Sequence, residues 1–213
     1  MANPRYVCPV DDARPYGVHR YDVYGLKIDR RLTLFGHRAL NAWLQLEFDP
    51  DIVSYCERPL RARGAFPARR IDFWAKANDT ERLVILLRTS ELQWATMPPR
   101  WFAAFEAWAA KSRMEVCLVE PEEAATGEVL RRNQAAILHH VAAGHAFVSE
   151  RMKQHALDSS GGGASLLELE GRLCPQDPVL ARTVAFMLVL DGRLRCPTLA
   201  LEPIGRHTLL VRG

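Results

Sequence analysis

With 213 residues, 48% of them hydrophobic and 25% charged, the chain has ordinary globular composition, enough for one generous domain or two small ones. No apolar run approaches membrane-spanning length and the N-terminal residues hold no signal-peptide core, so a cytoplasmic protein without a membrane partner is expected. The five scattered cysteines, Cys8, Cys56, Cys117, Cys174 and Cys196, argue against a zinc cluster or disulfide framework, and a net charge of +3 is too modest by itself to demand nucleic acid.

Residues 1–35 read as an N-terminal segment, with 20–35 as an extended or irregular lead-in. Leu40, Trp43 and Leu44 recur at helical spacing and predict a helix over 37–47. Pro50 stops it, because proline cannot continue a helix and forces its predecessor out of α space. Strand candidates follow at 52–61, 70–76 and 83–88, the last two joined by a polar Asn78-Asp79 turn. Pro98 and Pro99 open a second helix carrying the stripe Trp101, Phe102, Phe105, Trp108 and Ala109. A strand over 115–119 closes an αβββαβ unit within 36–125, its last two strands parallel because a helix joins them.

From about residue 128 the character changes. Helices are predicted over 133–143 and 148–157, and the Gly-rich stretch Ser159 to Ser165 reads as a flexible hinge or loose turn. Two further helices at 166–172 and 178–190 follow, the second ended by Gly192. A basic β-hairpin over 193–212 comes last. This order predicts a winged-helix-like α+β domain over 126–213, so the fold class expected for the whole chain is α/β.

Arginine dominates the basic residues and clusters. Arg58, Arg61, Arg63, Arg69 and Arg70 lie together with no acid among them. From Gly171 onward there are six arginines against three acids. The guanidinium fork suits phosphate oxygens. His139, His140, His145 and His155 sit on predicted helices without an acidic pattern beside them and read as surface or capping residues.

The stretch Lys27 to Leu60 resembles the TnsA-type endonuclease subunit of heteromeric transposons. The matching features are Leu46-Glu47-Phe48-Asp49-Pro50, Val53-Ser54-Tyr55 and Pro59, then Ile71-Asp72-Phe73 where the family carries "PDF". Val116 to Glu120 and Arg131-Arg132-Asn133 extend the likeness. The resemblance implies a restriction-endonuclease-like core and a metal-dependent cut made by a helix glutamate, the "PDF" aspartate and an acid-x-lysine pair. Carboxylates would hold Mg²⁺ against the scissile phosphate, and the lysine would position the attacking water.

Residue by residue, that set is degenerate here. The helix glutamate falls on Ala39 and the serine before it on Gly36; the acid-x-lysine pair falls on Leu86 and Arg88. The glutamine of a "QP" dipeptide has become Arg58, and Asp72 alone remains as a catalytic remnant. The expectation is therefore a pseudo-nuclease with no metal and no cofactor that binds double-stranded DNA. Arg58, Arg61, Arg63, Arg69, Arg70 and Arg88 would line its cleft and rim. Arg182 on a recognition helix would act with Arg193, Arg195 and Arg206 on or near the hairpin. The resemblance also implies two partners, a DDE-type transposase and an ATPase regulator. Two alternatives stay open: an active Mg²⁺-dependent endonuclease using relocated acids, and a protein-interaction module that touches no nucleic acid. Glu57 and Glu91 are positions for a relocated acid; Glu47, about 12 Å along the helix from Ala39, is too far away.

Overall fold

The computed structural model describes residues 3–62, 64, 68–78, 80–121 and 127–213. The chain divides into two units, Met1–Glu47 with Asp51–Ala125, and Phe48–Pro50 with Thr126–Gly213. Both mix helix and strand, and the fold is α/β.

The first unit opens on a hairpin, β1 (Arg20–Gly25) and β2 (Arg30–Phe35), paired antiparallel from Arg20 opposite Phe35 to Gly25 opposite Arg30. The lead-in expected as extended or irregular is thus extended, with a strand pairing that the sequence reading did not specify. Leu32 and Leu34 alternate inward along β2 and are buried, which fixes the register. Helix α1 (His37–Phe48) follows, then β3 (Ile52–Glu57), β4 (Phe73–Ala77) and β5 (Glu81–Leu86). A 3-10 turn over Thr89–Ala95, helix α2 (Arg100–Lys111) and β6 (Met114–Val119) complete the unit.

The four-stranded sheet has order β3-β4-β5-β6. Its first two pairings are antiparallel, and β5 and β6 are parallel, as the α2 crossover requires. The strand expected over 83–88 keeps its six residues but lies two positions earlier, at Glu81–Leu86, whereas those over 52–61 and 70–76 were expected longer. Those two runs stop at Glu57 and begin at Phe73, and between them Arg61 and Arg70 pair in an isolated bridge outside the sheet. Asp79 of the anticipated turn lies outside the described residues; Ala77 N–H donates to Thr80 O across it at 2.9 Å.

Alternation along β3 assigns the faces. Cys56, Trp74, Leu83 and Ile85 pack with Phe102, Phe105 and Ala109 of α2. Tyr55 points the other way, toward α1, where its hydroxyl accepts from Trp43 Nε1 (2.7 Å) and donates to Glu47 Oε1 (2.5 Å). Glu47 is only 1% exposed. Burial raises its carboxyl above the ordinary range, against the opposing pull of Tyr55 and Lys27. A Cβ on Gly25 would come within 2.3 Å of Tyr55 Oη, so only glycine fits there. The Leu46-to-Pro50 and Val53-to-Tyr55 blocks therefore carry a buried polar staple between helix and sheet.

The second unit contains α3 (Glu128–Gly144), α4 (Glu150–Ser160), β7 (Ala164–Ser165), α5 (Leu166–Leu173), α6 (Pro178–Leu190), β8 (Leu194–Arg195) and β9 (Leu209–Arg212). The strands form an antiparallel sheet of order β7-β9-β8. The stretch read as a flexible hinge or loose turn is a turn, and a defined one. Ser160 ends α4, Gly161 and Gly163 take positive φ, and Ser165 caps α5 in a capping box with Glu168. Asn133 of α3 is buried and pins the loop after β8. Its Nδ2 donates to Leu199 O and Glu202 O at 2.7 Å each, and its Oδ1 accepts from Ile204 N–H at 3.0 Å. Among the described residues no single helix is long and apolar enough to cross a membrane.

Candidate functional site

In the first unit, the end of β2, the start of α1, the end of β3, residues 68–73 and the end of β5 surround a cleft of about 580 Å³. Phe35, Ala39, Glu57, Asp72, Leu86 and Arg88 are among its walls. The positions singled out in sequence as the remains of a catalytic set thus lie around one cavity.

Asp72 forms part of the wall with 26% of its side chain exposed. Its Oδ2 accepts the Leu86 N–H at 2.8 Å and faces Arg69 Nη2 at 3.3 Å. Removal from water raises the Asp72 carboxyl above its ordinary value, and Arg69, the Leu86 N–H and Arg38 pull the other way. Arg69 is buried, its side chain 8% exposed. From Nη2 it also reaches Leu86 O at 2.9 Å and Glu91 Oε2 at 3.3 Å, and from Nη1 it reaches Arg70 O at 2.7 Å. Its Nε lies 3.3 Å from Glu91 Oε1 without a well-directed hydrogen bond. One guanidinium therefore bridges Asp72, the Leu86 carbonyl and Glu91.

The other candidate acids are engaged as well. Glu57 takes two bonds from Arg30, at 2.5 and 3.0 Å. Glu91 additionally accepts the Arg88 N–H at 2.9 Å, which orders the 3-10 turn. Ala39 and Leu86 supply no side-chain oxygen. A hard divalent cation needs carboxylate or carbonyl oxygens free to turn toward it, and here the carboxylates are fixed on guanidinium groups. This donor set does not fit Mg²⁺.

The structure also sorts the expected arginines. Arg58 sits at φ +45 and is buried. Its guanidinium donates to Asp12 Oδ1 (2.8 Å), Asp11 O (3.0 Å) and Thr33 O (2.7 Å), with its carbon 4.9 Å over the Phe35 ring. Arg61 and Arg70 each donate to Asp11, both at 2.7 Å, and are more exposed. Arg63 lies outside the described residues. Arg88 has a side chain 65% exposed and only a loose 3.9 Å approach to Glu91.

Arg38, which sequence reading passed over, lines the same cleft and donates to the Leu87 carbonyl. Asp11 and Asp12 were missed too. The signal was present, two adjacent acids in an arginine-rich chain, but nothing local says that they fold back onto Arg58, Arg61 and Arg70.

In the second unit, Arg182 is bonded to Glu170 at 2.5 and 2.8 Å. Helix α6, expected to read DNA, is largely buried through Ala181, Val184, Ala185, Phe186 and Leu188. Arg193 lies 3.9 Å from Glu150 and 3.4 Å from Gln154 Oε1. Arg195 on β8 and Arg206 in the following loop are exposed, and neither makes a side-chain ion pair among the described residues.

The chain matches no protein-family model and no curated protein.

Proposed function

We propose that residues 36–125 are a TnsA-like, restriction-endonuclease-like αβββαβ core in which an internal guanidinium has replaced metal chemistry. The protein would bind double-stranded DNA without cutting it, as a subunit in transposition or a related mobile-element process in the cytoplasm. The carrying observation is Arg69 bridging Asp72 and Glu91 beside Ala39 and Leu86. Arg69 occupies the carboxylates that a metal would need, and the further arginines lining the cleft, Arg38 and Arg88 among them, favour phosphate over a divalent cation. Residues 126–213 would add a winged-helix-like domain, a reading supported by the α4-β7-α5-α6-β8-β9 order and the β7-β9-β8 sheet. Arg195 and Arg206, rather than the largely buried α6, are its best-placed phosphate contacts. A DDE-type transposase and an ATPase regulator are the proposed partners, on the strength of the resemblance alone.

The test is duplex binding across a salt series, with Mg²⁺ and Mn²⁺ cleavage assays alongside. Affinity should fall log-linearly with salt at a slope near −0.9 per phosphate contact, with no nicking in either metal. Arg61→Ala with Arg70→Ala should weaken binding and flatten the slope while the fold is retained. Absence of salt-sensitive binding, alone or with a transposase, would favour the protein-interaction reading. A second reading, an active endonuclease, draws on one observation: Asp72 and Glu91 converge on the same nitrogen of Arg69. Metal-dependent nicking abolished by Asp72→Ala would establish it.

A further inference from the structure

The charges around the cleft do not cancel. Glu57 is held by Arg30, Asp12 by Arg58, Asp11 by Arg61 and Arg70, and Asp72 and Glu91 by Arg69. Among the described residues lining the cleft, Arg38 and Arg88 are the two arginines that these carboxylates do not claim closely. Arg38 donates to a neutral carbonyl, that of Leu87, which places its guanidinium beside the residue preceding Arg88. Arg88 keeps most of its side chain in solvent, and Glu91, its nearest acid at 3.9 Å, is already shared by Arg69 and the Arg88 N–H. Asp72 faces the same space, but its Oδ2 is turned to the Leu86 N–H and Arg69.

Two arginines on the walls of one cleft, neither closely held by a carboxylate, match a doubly charged anion better than a singly charged one. An internal phosphodiester carries one negative charge; a phosphomonoester carries about −1.5 to −2 at neutral pH and three acceptor oxygens. The cavity, about 580 Å³, lies within the size range of small-molecule pockets. It takes a nucleotide-sized group and is too small to admit the width of a duplex. We infer that the Arg38–Arg88 corner of this cleft is a phosphomonoester site that receives a nucleotide carrying a terminal phosphate, at a DNA end or free in solution. The inference rests on the DNA-binding reading for its first source and extends it. The rim would touch the backbone, while the cleft would hold a terminus.

The experiment compares single-stranded oligonucleotides of one sequence bearing 5′-phosphate, 3′-phosphate or hydroxyl ends, by fluorescence anisotropy at fixed salt, with AMP and orthophosphate as competitors. One phosphorylated end should bind roughly tenfold or more tightly than the hydroxyl form, as expected for charge-assisted bonds to two guanidiniums. Arg88→Gln, a surface change, should abolish that preference and lower the duplex salt slope by no more than one contact, about 0.9. Arg38→Gln should do the same, with its melting temperature checked because it loses the Leu87 bond. Displacement by AMP but not by unphosphorylated oligonucleotide supports the site, and AMP binding as tight as the oligonucleotide assigns its source to free nucleotide. Equal binding of phosphorylated and hydroxyl ends, with duplex binding present, overturns this inference and leaves the DNA-binding reading standing. Loss of binding to every nucleic acid and to AMP overturns both.

Discussion

Arg69→Met tests the central claim about the cleft. Methionine roughly matches the length of the arginine stem and removes the charge, leaving Asp72 and Glu91 facing each other with the Leu86 carbonyl between them. Breaking a buried ion pair by deleting one partner costs about 3–5 kcal/mol, because the survivors stay desolvated. Asp72 retains some exposure and Glu91 still caps the Arg88 N–H, so the lower end, about 3 kcal/mol, is expected. For a unit of this size that corresponds to a fall in melting temperature of roughly 10–20 °C. The loss should depend on pH. Without the guanidinium, the already raised Asp72 carboxyl rises further above its unfolded value. Its stabilising contribution is then complete below the unfolded value and lost as pH climbs through the folded one, so the deficit against the parent should narrow on acidification. Thermal melts of both proteins between acid and neutral pH read this directly. A deficit under about 1 kcal/mol, unchanged by pH, would mean that Arg69 is an ordinary surface-like pair, and the metal-replacement account would fall.

Two further outcomes follow from the remaining contacts. Asp11→Asn with Asp12→Asn releases Arg58, Arg61 and Arg70 from their carboxylates and should raise duplex affinity several-fold. The salt slope should steepen by up to about one contact, near 0.9, for each arginine freed; unchanged affinity in a protein that does bind DNA would show that the N-terminal acids do not compete with phosphate. Glu47→Gln keeps an acceptor for the Tyr55 hydroxyl and removes the buried charge. Because the Glu47 carboxyl is raised in the fold, its contribution fades as pH rises. The variant should therefore melt at or above the parent at pH 8 yet not at pH 4, and a large loss at pH 8 would show that the ionised form is needed.

Much of the first unit is legible in the sequence because its signals are local. The α2 stripe, proline at its entry and Pro50 after α1 each act within a few residues. The β1–β2 hairpin was missed although Leu32 and Leu34 alternate, because the pairing partner is the polar, weakly patterned run from Arg20 to Gly25. The Gly-rich stretch before α5 looked loose for the same reason that it is tight: glycines that permit positive φ serve a flexible linker and a sharp turn equally well. For the cleft, the resemblance picked out Ala39, Asp72 and Leu86 position by position, and all three line it. The ion pairs were not legible, since Asp11 and Arg70, or Arg69 and Glu91, meet only after the segment 58–72 has folded. A count of arginines locates charge; only tertiary contact decides which of it is neutralised.

The three hydrogen bonds of Asn133 change what the loop after β8 is free to become. An asparagine side chain offers one acceptor and two donors to a backbone, and here it stands in for a missing strand by pairing with three main-chain groups between Leu199 and Ile204. That segment is consequently held in length and path by a helix far away in sequence. An insertion between 199 and 204 would pull apart bonds that Asp or Leu at 133 could not replace. The stretch from Gly205 to His207 lies beyond the clamp and is exposed, so new sequence grafted there would leave the clamp intact. Of the two halves of one surface loop, the first is template-bound and the second is open to evolutionary drift or to deliberate engineering.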